Sequence, residues 1–277
     1  MPARSLLRRL KRLVLIVGLT YVATCVLLDL FQSRLIYFPS RAYAYTPQDV
    51  GLAFEEITLQ ASDGIRLAAW YVPNPQAKGS VLFCHGNAGN ISDRLIQLKL
   101  LVGLGYNVLL FDYRGYGNSE GSPTEQGTYL DAEAAWRFLT KDKTRPPEAI
   151  ALFGESLGGA VAIELALRYR PGALMVESTF TSLVDVARLH YPLLPVRWLL
   201  RYRYDSIEKV PKLTCPKLFI HSTNDELVPI ANARKLFDAA APPKQFLETP
   251  GEHNTGGFTY SPEFTEKLGS FLHAVIR

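Results

Sequence analysis

Short apolar runs alternate with longer amphipathic stretches along most of the chain. Phe54–Gln60 and Ile65–Val72 are separated by the turn Ser62-Asp63-Gly64 and predict a β-hairpin. The later runs are short and almost wholly apolar, as expected for parallel strands that helices cover on both faces. These predicted strands are Ser80–Cys84, Asn107–Phe111, Ala149–Phe153, Ala173–Val176, Lys217–His221 and Gln245–Leu247.

Helical patterns, with apolar residues three or four positions apart, lie between these runs. The predicted helices are Asp93–Leu104, Thr124–Leu139, Leu157–Tyr169, one beginning near Ile230, and Pro262–Val275. Alternating strands and helices predict an α/β fold with a mostly parallel central sheet. A chain of 277 residues with 48% hydrophobic residues is long enough for one large domain with a substantial core.

The longest apolar segment lies before this α/β region, at residues 13–31. Leu13–Leu28 contains no charged residue, and Asp29 is the one charge before Phe31. At about 1.5 Å per residue, a helix of this length just spans a bilayer. A cleaved signal peptide is the alternative, but the run is long for one and no typical cleavage site precedes polar sequence. We therefore predict an uncleaved transmembrane anchor.

The net charge of +4 is concentrated at the N-terminus. Five of the 30 basic residues precede the anchor, and the remaining 25 are balanced by 26 acidic residues. A nucleic-acid partner is not expected, because such binding needs basic residues clustered on the folded part. The positive-inside rule predicts a cytoplasmic N-terminus, with the folded domain on the opposite side of the membrane, periplasmic if the chain is bacterial.

The three cysteines are odd in number and lack CxxC spacing. We expect Cys25, Cys84 and Cys215 to be buried thiols without a disulfide. No group of His, Cys, Asp and Glu has the spacing of metal ligands. The glycines of Asp112–Gly117 do not follow GxGxxG and come after a middle strand, so they predict a turn. We predict no metal and no cofactor.

The segment Gly154-Glu155-Ser156-Leu157-Gly158 lies where a predicted strand ends and a predicted helix begins. The pattern G-x-S-x-G in this context is a nucleophile elbow, a tight turn that exposes its serine. The helix N-terminus directs backbone N–H groups toward the space above the hydroxyl. A glycine-rich turn with a helix-capping serine is the alternative. We predict that Ser156 is a nucleophile and that the Leu157 N–H stabilises an oxyanion.

A serine nucleophile needs a base and an orienting acid. His253 is the histidine, among five, that follows the last predicted strand in a loop able to reach the elbow. Asp225 follows the strand that ends at His221, and the order Ser156, Asp225, His253 is typical of one class of serine hydrolases. Glu226 and Glu177 are alternative acids.

The loop after the third predicted strand supplies the remaining part of an oxyanion hole. It begins Cys84-His85-Gly86-Asn87, and the second donor in this architecture comes from such a loop. We predict that the backbone N–H of Asn87 is that donor. We expect the His85 ring to support the loop and not to take part in catalysis.

Six segments resemble the α/β-hydrolase superfamily, in the order in which its members carry them. They are LFCHGNAGN, FDYRGYGNSEGSPTEQG, FGESLGGAVAIELA, ESTFTSL, IHSTNDELVP and GEHN. From about Leu35 onward the chain is similar to the bud-emergence-type, membrane-anchored serine hydrolases related to the α/β-hydrolase-domain proteins. The resemblance implies a Ser-Asp-His hydrolase acting through Ser156, Asp225 and His253. Some eukaryotic relatives are similar to thioesterases that remove fatty acyl groups from proteins.

These observations divide the chain into four regions. We predict a basic cytoplasmic N-terminus (1–12), the anchor (13–31), a connector (32–50) and an α/β-hydrolase domain (51–277). Residues 182–211, rich in Leu, Trp, Tyr and Arg, predict a small helical cap over the site. Such side chains suit contact with a membrane or an acyl chain, and equally the packing of the cap on the core.

The favoured function is a membrane-anchored serine hydrolase that cleaves carboxylic ester or thioester bonds through an acyl-enzyme. Its partners would be a small-molecule or acylated substrate and the membrane. A serine peptidase of the same fold is one alternative, although the sequence has no gating domain to support it. A catalytically silent, membrane-tethered binding protein is the other, because a fold alone does not choose the chemistry.

Overall fold

The computed structural model describes residues 2–254 and 261–276. The N-terminal part consists of a long helix, α1 (Pro2–Leu30), a short helix, α2 (Gln32–Ile36), and a two-residue strand, β1 (Phe38–Pro39). The strands that follow are β2 (Glu55–Gln60), β3 (Arg66–Val72), β4 (Ser80–Cys84), β5 (Ala88–Gly89), β6 (Asn107–Phe111), β7 (Ile150–Glu155), β8 (Ala173–Glu177), β9 (Lys217–Ser222) and β10 (Lys244–Thr249).

Helices connect these strands. They are α3 (Leu95–Gly103), α4 (Glu125–Arg137), α5 (Leu157–Tyr169), α6 (Leu183–His190), α7 (Val196–Leu199), α8 (Ser206–Lys209), α9 (Ala231–Ala239) and α10 (Pro262–Val275). The region expected to form a cap, 182–211, contains α6, α7 and α8.

The central sheet runs in the order β10-β9-β8-β7-β4-β6-β3-β2 within the described residues. β2 and β3 form the predicted antiparallel hairpin, and β3 also pairs antiparallel with β6. The other neighbours are parallel. This arrangement confirms the predicted α/β fold, and it brings the carboxyl ends of the parallel strands to one edge of the sheet.

Two apolar cores lie on the two faces of the sheet. In β4, Leu82 and Cys84 belong to one core, while Val81 and Phe83 belong to the other. All four side chains are fully buried. Successive residues of a strand point to opposite faces, so a strand with no polar interior residue needs cover on both sides. Each large apolar side chain buried in this way contributes about 1.5–3 kcal/mol.

Several helix boundaries differ from the predictions, for local reasons. The helix expected from Asp93 begins at Leu95, because the preceding residues form a 3₁₀ turn whose first residues are capped by the Asn90 side chain. Thr124 is an N-cap, and its Oγ1 accepts a hydrogen bond from the N–H of Gly127 at 3.0 Å. The predicted bounds of α5 and α10 are confirmed.

The segment after α1 is packed into the domain in a way that its sequence did not indicate. β1 pairs in parallel with β5, in the loop after β4. The N–H of Ser40 donates to the carbonyl of Gly89 at 3.0 Å, and the N–H of Gly117 donates to the carbonyl of Ser40 at 2.9 Å. Two-residue strands carry no periodic pattern, so only tertiary contacts reveal them.

Helix α1 is exposed over most of its length. Residues Leu6–Leu30 are long and apolar enough to cross a membrane. The expectation of three buried thiols was wrong for one of them: Cys84 and Cys215 are buried, but Cys25 is only partly buried. Its place on α1 explains the difference, because most of the surface of that helix is exposed.

Candidate active site

Ser156 lies at the sharp corner between β7 and α5. Its backbone has φ 52° and ψ −114°, a region that costs a residue with a side chain about 1–3 kcal/mol. A Cβ at position 154 would lie 2.4 Å from the carbonyl oxygen of Gly158, and one at position 158 would lie 2.0 Å from that of Cys84. Glycine is therefore required at both positions, as the motif predicts.

Strand β8 holds this corner in place. The N–H of Ser156 donates to the carbonyl of Glu177 at 2.8 Å. The hydroxyl of Thr179 donates to the carbonyl of Ser156 at 2.9 Å. A Cβ at Gly159 would lie 2.5 Å from the Cβ of Thr179, so this glycine allows α5 to approach the segment after β8. These contacts oppose relaxation of the strained serine.

The structure brings the three residues predicted as a triad together. The Nε2 atom of His253 lies 3.1 Å from Ser156 Oγ, and its Nδ1 atom lies 2.8 Å from Asp225 Oδ2. Both distances are within hydrogen-bonding range. The three side chains come from loops that follow β7, β9 and β10, and they meet at the carboxyl edge of the sheet.

Asp225 is fixed by further donors. Its Oδ1 accepts the N–H groups of Leu227 at 3.0 Å and Val228 at 2.7 Å. Burial alone would raise the pKa of Asp225, but the imidazoles of His221 and His253 and the Val228 N–H together hold it well below its ordinary value. The carboxyl group is therefore ionised at neutral pH.

His221 is a site residue that the sequence reasoning did not assign. Its buried Nε2 lies 2.7 Å from the carbonyl of Val228 and 3.2 Å from Asp225 Oδ2. An Nε2–H group between these two acceptors supports the same carboxylate oxygen, Oδ2, that faces His253. The available signal was a histidine four residues before the predicted acid, at the end of a strand.

The two alternative acids occupy other positions. Glu226 accepts the backbone N–H of His253 through Oε2 at 3.1 Å, so it supports the main chain of that residue. Glu177 is buried, and desolvation together with the neighbouring Glu155 raises its pKa well above the ordinary value. Within the described residues, the carboxyl group at His253 Nδ1 is that of Asp225.

The two predicted oxyanion donors lie on the elements that the sequence indicated. Leu157 is the first residue of α5 and is buried. Asn87 lies in the loop after β4, where its Nδ2 donates to the carbonyl of Ile36 and its Oδ1 accepts the hydroxyl of Tyr116 at 2.9 Å. These side-chain contacts hold the loop that carries the Asn87 backbone N–H.

His85 lies within the protein interior below this loop. Its ring packs on Tyr113 and Tyr116, with centroids 4.5 and 5.4 Å away. Its Nδ1 lies 2.7 Å from the carbonyl of Gly86. Burial, with a contribution from the charge of Arg94, lowers the pKa of His85 to about 3, so the ring is neutral. These contacts support the loop, in line with the structural role expected for this ring.

Arg94 connects the loop to the elbow, which the sequence reasoning also missed. Its Nε lies 3.1 Å from Glu155 Oε2, and its Nη2 donates to the carbonyl of Ala88 at 3.0 Å. Both partners are next to predicted site residues, Ser156 and Asn87. Arg94 therefore links the elbow to the loop that carries Asn87. In the described part of the chain, no cluster of three or more His, Cys, Asp and Glu could hold a metal.

Comparison with known proteins identifies relatives across nearly the whole chain. A family profile described as alpha/beta hydrolase fold matches residues 79–205. The alpha/beta hydrolase domain-containing protein WAV2 of Arabidopsis thaliana is 36% identical, over 89% of this chain and 91% of its own length. An uncharacterized membrane protein of Saccharomyces cerevisiae is 34% identical, over 86% and 88%. The lysophosphatidylserine lipase ABHD12 of Danio rerio is 32% identical, over 98% and 85%.

A solved structure shows the same fold. The esterase Pf2001 of Pyrococcus furiosus superposes with a TM-score of 0.72 and 20% sequence identity, over 87% of this chain and 98% of that chain. At this identity the likeness concerns the fold alone. The family profile, the relatives and the observed sheet order agree with one another, and the chain belongs to the α/β-hydrolase family.

Proposed function

We propose that this α/β hydrolase is a membrane-anchored serine hydrolase that cleaves carboxylic ester or thioester bonds. Ser156 is the nucleophile, His253 the general base and acid, and Asp225 the orienting acid. One observation carries the proposal: the unbroken chain of contacts from Ser156 Oγ to His253 at 3.1 Å and from His253 to Asp225 at 2.8 Å.

The charge of Asp225 sets the direction of proton transfer. An ionised carboxylate can only accept, so the Nδ1 atom of His253 carries the proton that faces Oδ2. The lone pair of Nε2 then faces the hydroxyl of Ser156 and can remove its proton during attack on an acyl carbon. The resulting imidazolium is stabilised by the same carboxylate.

The reaction then has two stages, formation of an acyl-enzyme and its hydrolysis. Ser156 Oγ bonds to the acyl carbon, and the negative oxygen that forms receives the N–H groups of Leu157 and Asn87. One such donor is typically worth about 3 kcal/mol in the transition state. Protonated His253 gives its proton to the departing alcohol or thiol, which leaves an ester on Ser156. His253 next removes a proton from water, and the hydroxide equivalent releases the acid and restores the serine.

Esters and thioesters are favoured over amides on the basis of the relatives. The Danio rerio relative is named as a lysophosphatidylserine lipase and matches 98% of this chain. That name describes an ester-cleaving enzyme. Alcohols and thiols also leave more readily than amines, so the proposed site needs no further group to activate them.

Helix α1 is the proposed anchor, with the N-terminus in the cytoplasm and the hydrolase domain across the membrane. Its apolar surface is exposed, and basic residues precede its uncharged run. The yeast relative is called a membrane protein. Retention of the full chain in membranes after an alkaline carbonate wash tests the span, and protease protection in sealed vesicles tests the side.

Covalent labelling tests the nucleophile. A fluorophosphonate probe should label the full-length protein in detergent, and Ser156→Ala should abolish labelling. Ser122→Ala, at an exposed serine outside the site, is the matched control and should label as the wild type does. A folded wild type that stays unlabelled would favour a silent binding protein. A panel of esters, thioesters and peptides compared by kcat/KM then separates esterase from peptidase.

A further inference from the structure

The cap carries large apolar side chains that the protein leaves uncovered. Leu193 and Trp198 are 87% and 85% exposed, and Leu189 and Tyr191 are more than half exposed. We call these four residues the cap apolar face. A soluble surface usually carries such residues singly, and a concentration of them within ten positions of one segment is typical of an interaction site.

This face adjoins helix α1. Helix α7, which carries Trp198, contacts α1. The hydroxyl of Tyr21 donates to the carbonyl of Leu193 at 2.9 Å. Tyr21 lies nine residues before Leu30, the end of α1, which is about 14 Å along a helix. Leu193 therefore contacts α1 well inside the apolar stretch and not at its end.

The angle between cap and anchor is fixed by Gln32. This buried side chain donates through Nε2 to the carbonyl of Leu199 at 2.9 Å. Its Oε1 accepts the N–H groups of Arg201 at 2.8 Å and Tyr202 at 3.2 Å. Arg201 also pairs with Asp29, at 3.2 Å. The cap is thus attached to Asp29 at the end of α1 and to Gln32 at the start of α2, and it cannot turn its apolar face elsewhere without breaking these contacts.

Two of these contacts suit an apolar environment. A loop that enters lipid must have partners for its backbone carbonyls, because no water is present to solvate them. The carbonyls of Leu193 and Leu199 have such partners in Tyr21 and Gln32. Arg188 and Arg197 are exposed on the same segment, where they can meet lipid phosphates.

We propose that the cap apolar face is inserted into the lipid leaflet on the side of the hydrolase domain, as a second membrane-binding element beside α1. The inference rests on the proposed span of α1. The partner is the bilayer itself, because the face is continuous with the surface of the helix that crosses it.

Insertion of the cap would place the site at the lipid surface. His190, at the end of α6, donates through Nε2 to the carbonyl of Leu227 at 2.9 Å. Leu227 is also half-exposed, and its N–H donates to Asp225. The cap therefore contacts, through His190, an exposed apolar residue whose backbone N–H binds the acid of the predicted triad. A substrate with its acyl chain in the leaflet could reach Ser156 without entering water.

Tryptophan fluorescence tests the insertion directly. The chain has three tryptophans, and Trp70 and Trp136 are only 2% and 3% exposed, against 85% for Trp198. In nanodiscs of phosphatidylcholine with brominated acyl chains, we expect the lipid bromine atoms to quench the Trp198 emission. Aqueous iodide should quench the Trp198 emission only weakly. Trp198→Phe should remove the component that the brominated lipid quenches.

A matched control places a tryptophan at the other end of the sheet. Gln76 is exposed in the loop before β4, at the amino ends of the parallel strands. In the Trp198→Phe background, the indole introduced by Gln76→Trp should be quenched by iodide and not by brominated lipid. The inference is overturned if Trp198 behaves like this control, that is, if iodide quenches its emission and brominated lipid does not.

The same samples separate this inference from the proposals on which it depends. A protein that carbonate releases would overturn the anchor and the insertion together. A protein that carbonate retains, but whose Trp198 is open to iodide, overturns the insertion alone. A wild type that the fluorophosphonate does not label would overturn the proposed catalysis and would leave the quenching result unchanged.

Discussion

Replacing Asp225 by asparagine tests the proposed proton arrangement most directly. The Oδ1 atom of Asp225 faces two N–H donors, those of Leu227 and Val228, at 3.0 and 2.7 Å. An asparagine must keep its carbonyl oxygen there, because its NH₂ group would oppose both donors. The amide nitrogen is then forced into the Oδ2 position, 2.8 Å from His253 Nδ1.

This orientation reverses the hydrogen bonds of the imidazole. The amide donates to Nδ1, so the proton of neutral His253 moves to Nε2, which then faces Ser156 as a donor and cannot accept its proton. The wrong tautomer in a triad of this kind typically lowers kcat by about 10⁴, which corresponds to about 5 kcal/mol in the barrier. His221 also loses an acceptor at Oδ2, so we expect a small additional loss of stability.

The assay is kcat and KM on a soluble short-chain ester, with the rate of fluorophosphonate labelling as a second readout. Circular dichroism and the melting temperature show whether the variant is folded. Glu226→Gln is the matched control, because Glu226 is the neighbouring acid and contacts only the backbone N–H of His253 in this triad. We expect that control to lose less than about tenfold, the range of a single outer hydrogen bond.

Two results would refute the reasoning. A folded Asp225→Asn variant with activity within tenfold of the wild type would show that the tautomer of His253 is not set by this carboxylate. A loss confined to Glu226→Gln would assign the orienting acid to Glu226, an alternative that the sequence leaves open.

Two further predictions concern the segment after α1 and a buried acid. A chain that begins at residue 31 keeps β1 and its pairing with β5, so in detergent we expect it to be labelled by the fluorophosphonate at nearly the full-length rate. A chain that begins at residue 51 lacks β1, and its labelling rate should be at least tenfold lower. Equal labelling rates for the two truncated chains would contradict a role for that pairing. Burial raises the pKa of Asp112 from 3.8 to about 7, so the folded state binds this proton more tightly than the unfolded state. The stabilisation from this protonated carboxyl group is complete below about pH 4 and is lost as the pH rises through 7. Over that range, the melting temperature of the wild type should therefore fall by several degrees relative to that of Asp112→Asn. A difference that does not change with pH would show that Asp112 is ionised throughout.

The features that could be predicted from the sequence are those that depend on residues close together in the chain. The strand β7, the corner at Ser156 and the helix α5 lie within twenty residues, and each has a signature in periodicity or in obligatory glycine. The order of Ser156, Asp225 and His253 along the chain then limited the choice of base and acid. The structure places these three side chains in contact.

The features that were not predictable depend on contacts between distant segments. Arg94 and Glu155 are separated by about sixty positions, and nothing near either residue indicates the other. In the sequence His221 is only the last residue of a predicted strand. The acceptors of its imidazole, in Asp225 and Val228, come close only because the loop after β9 turns back. Such contacts are consequences of the sheet order, which no single segment encodes.

The connector shows how these distant contacts change the view of the domain. Residues 32–50 were expected to form a connector between the anchor and the hydrolase domain, and the expectation said nothing of their contacts. In the structure Gln32 donates to the carbonyl of Leu199, and four residues later the carbonyl of Ile36 accepts a hydrogen bond from Asn87 in the predicted oxyanion loop. The segment after α1 therefore contacts two other parts of the domain, the region of α6–α8 and the loop after β4. These two hydrogen bonds connect the segment after α1 both to the region of α6–α8 and to the loop after β4, so a change in the angle of α1 relative to the domain would act on both.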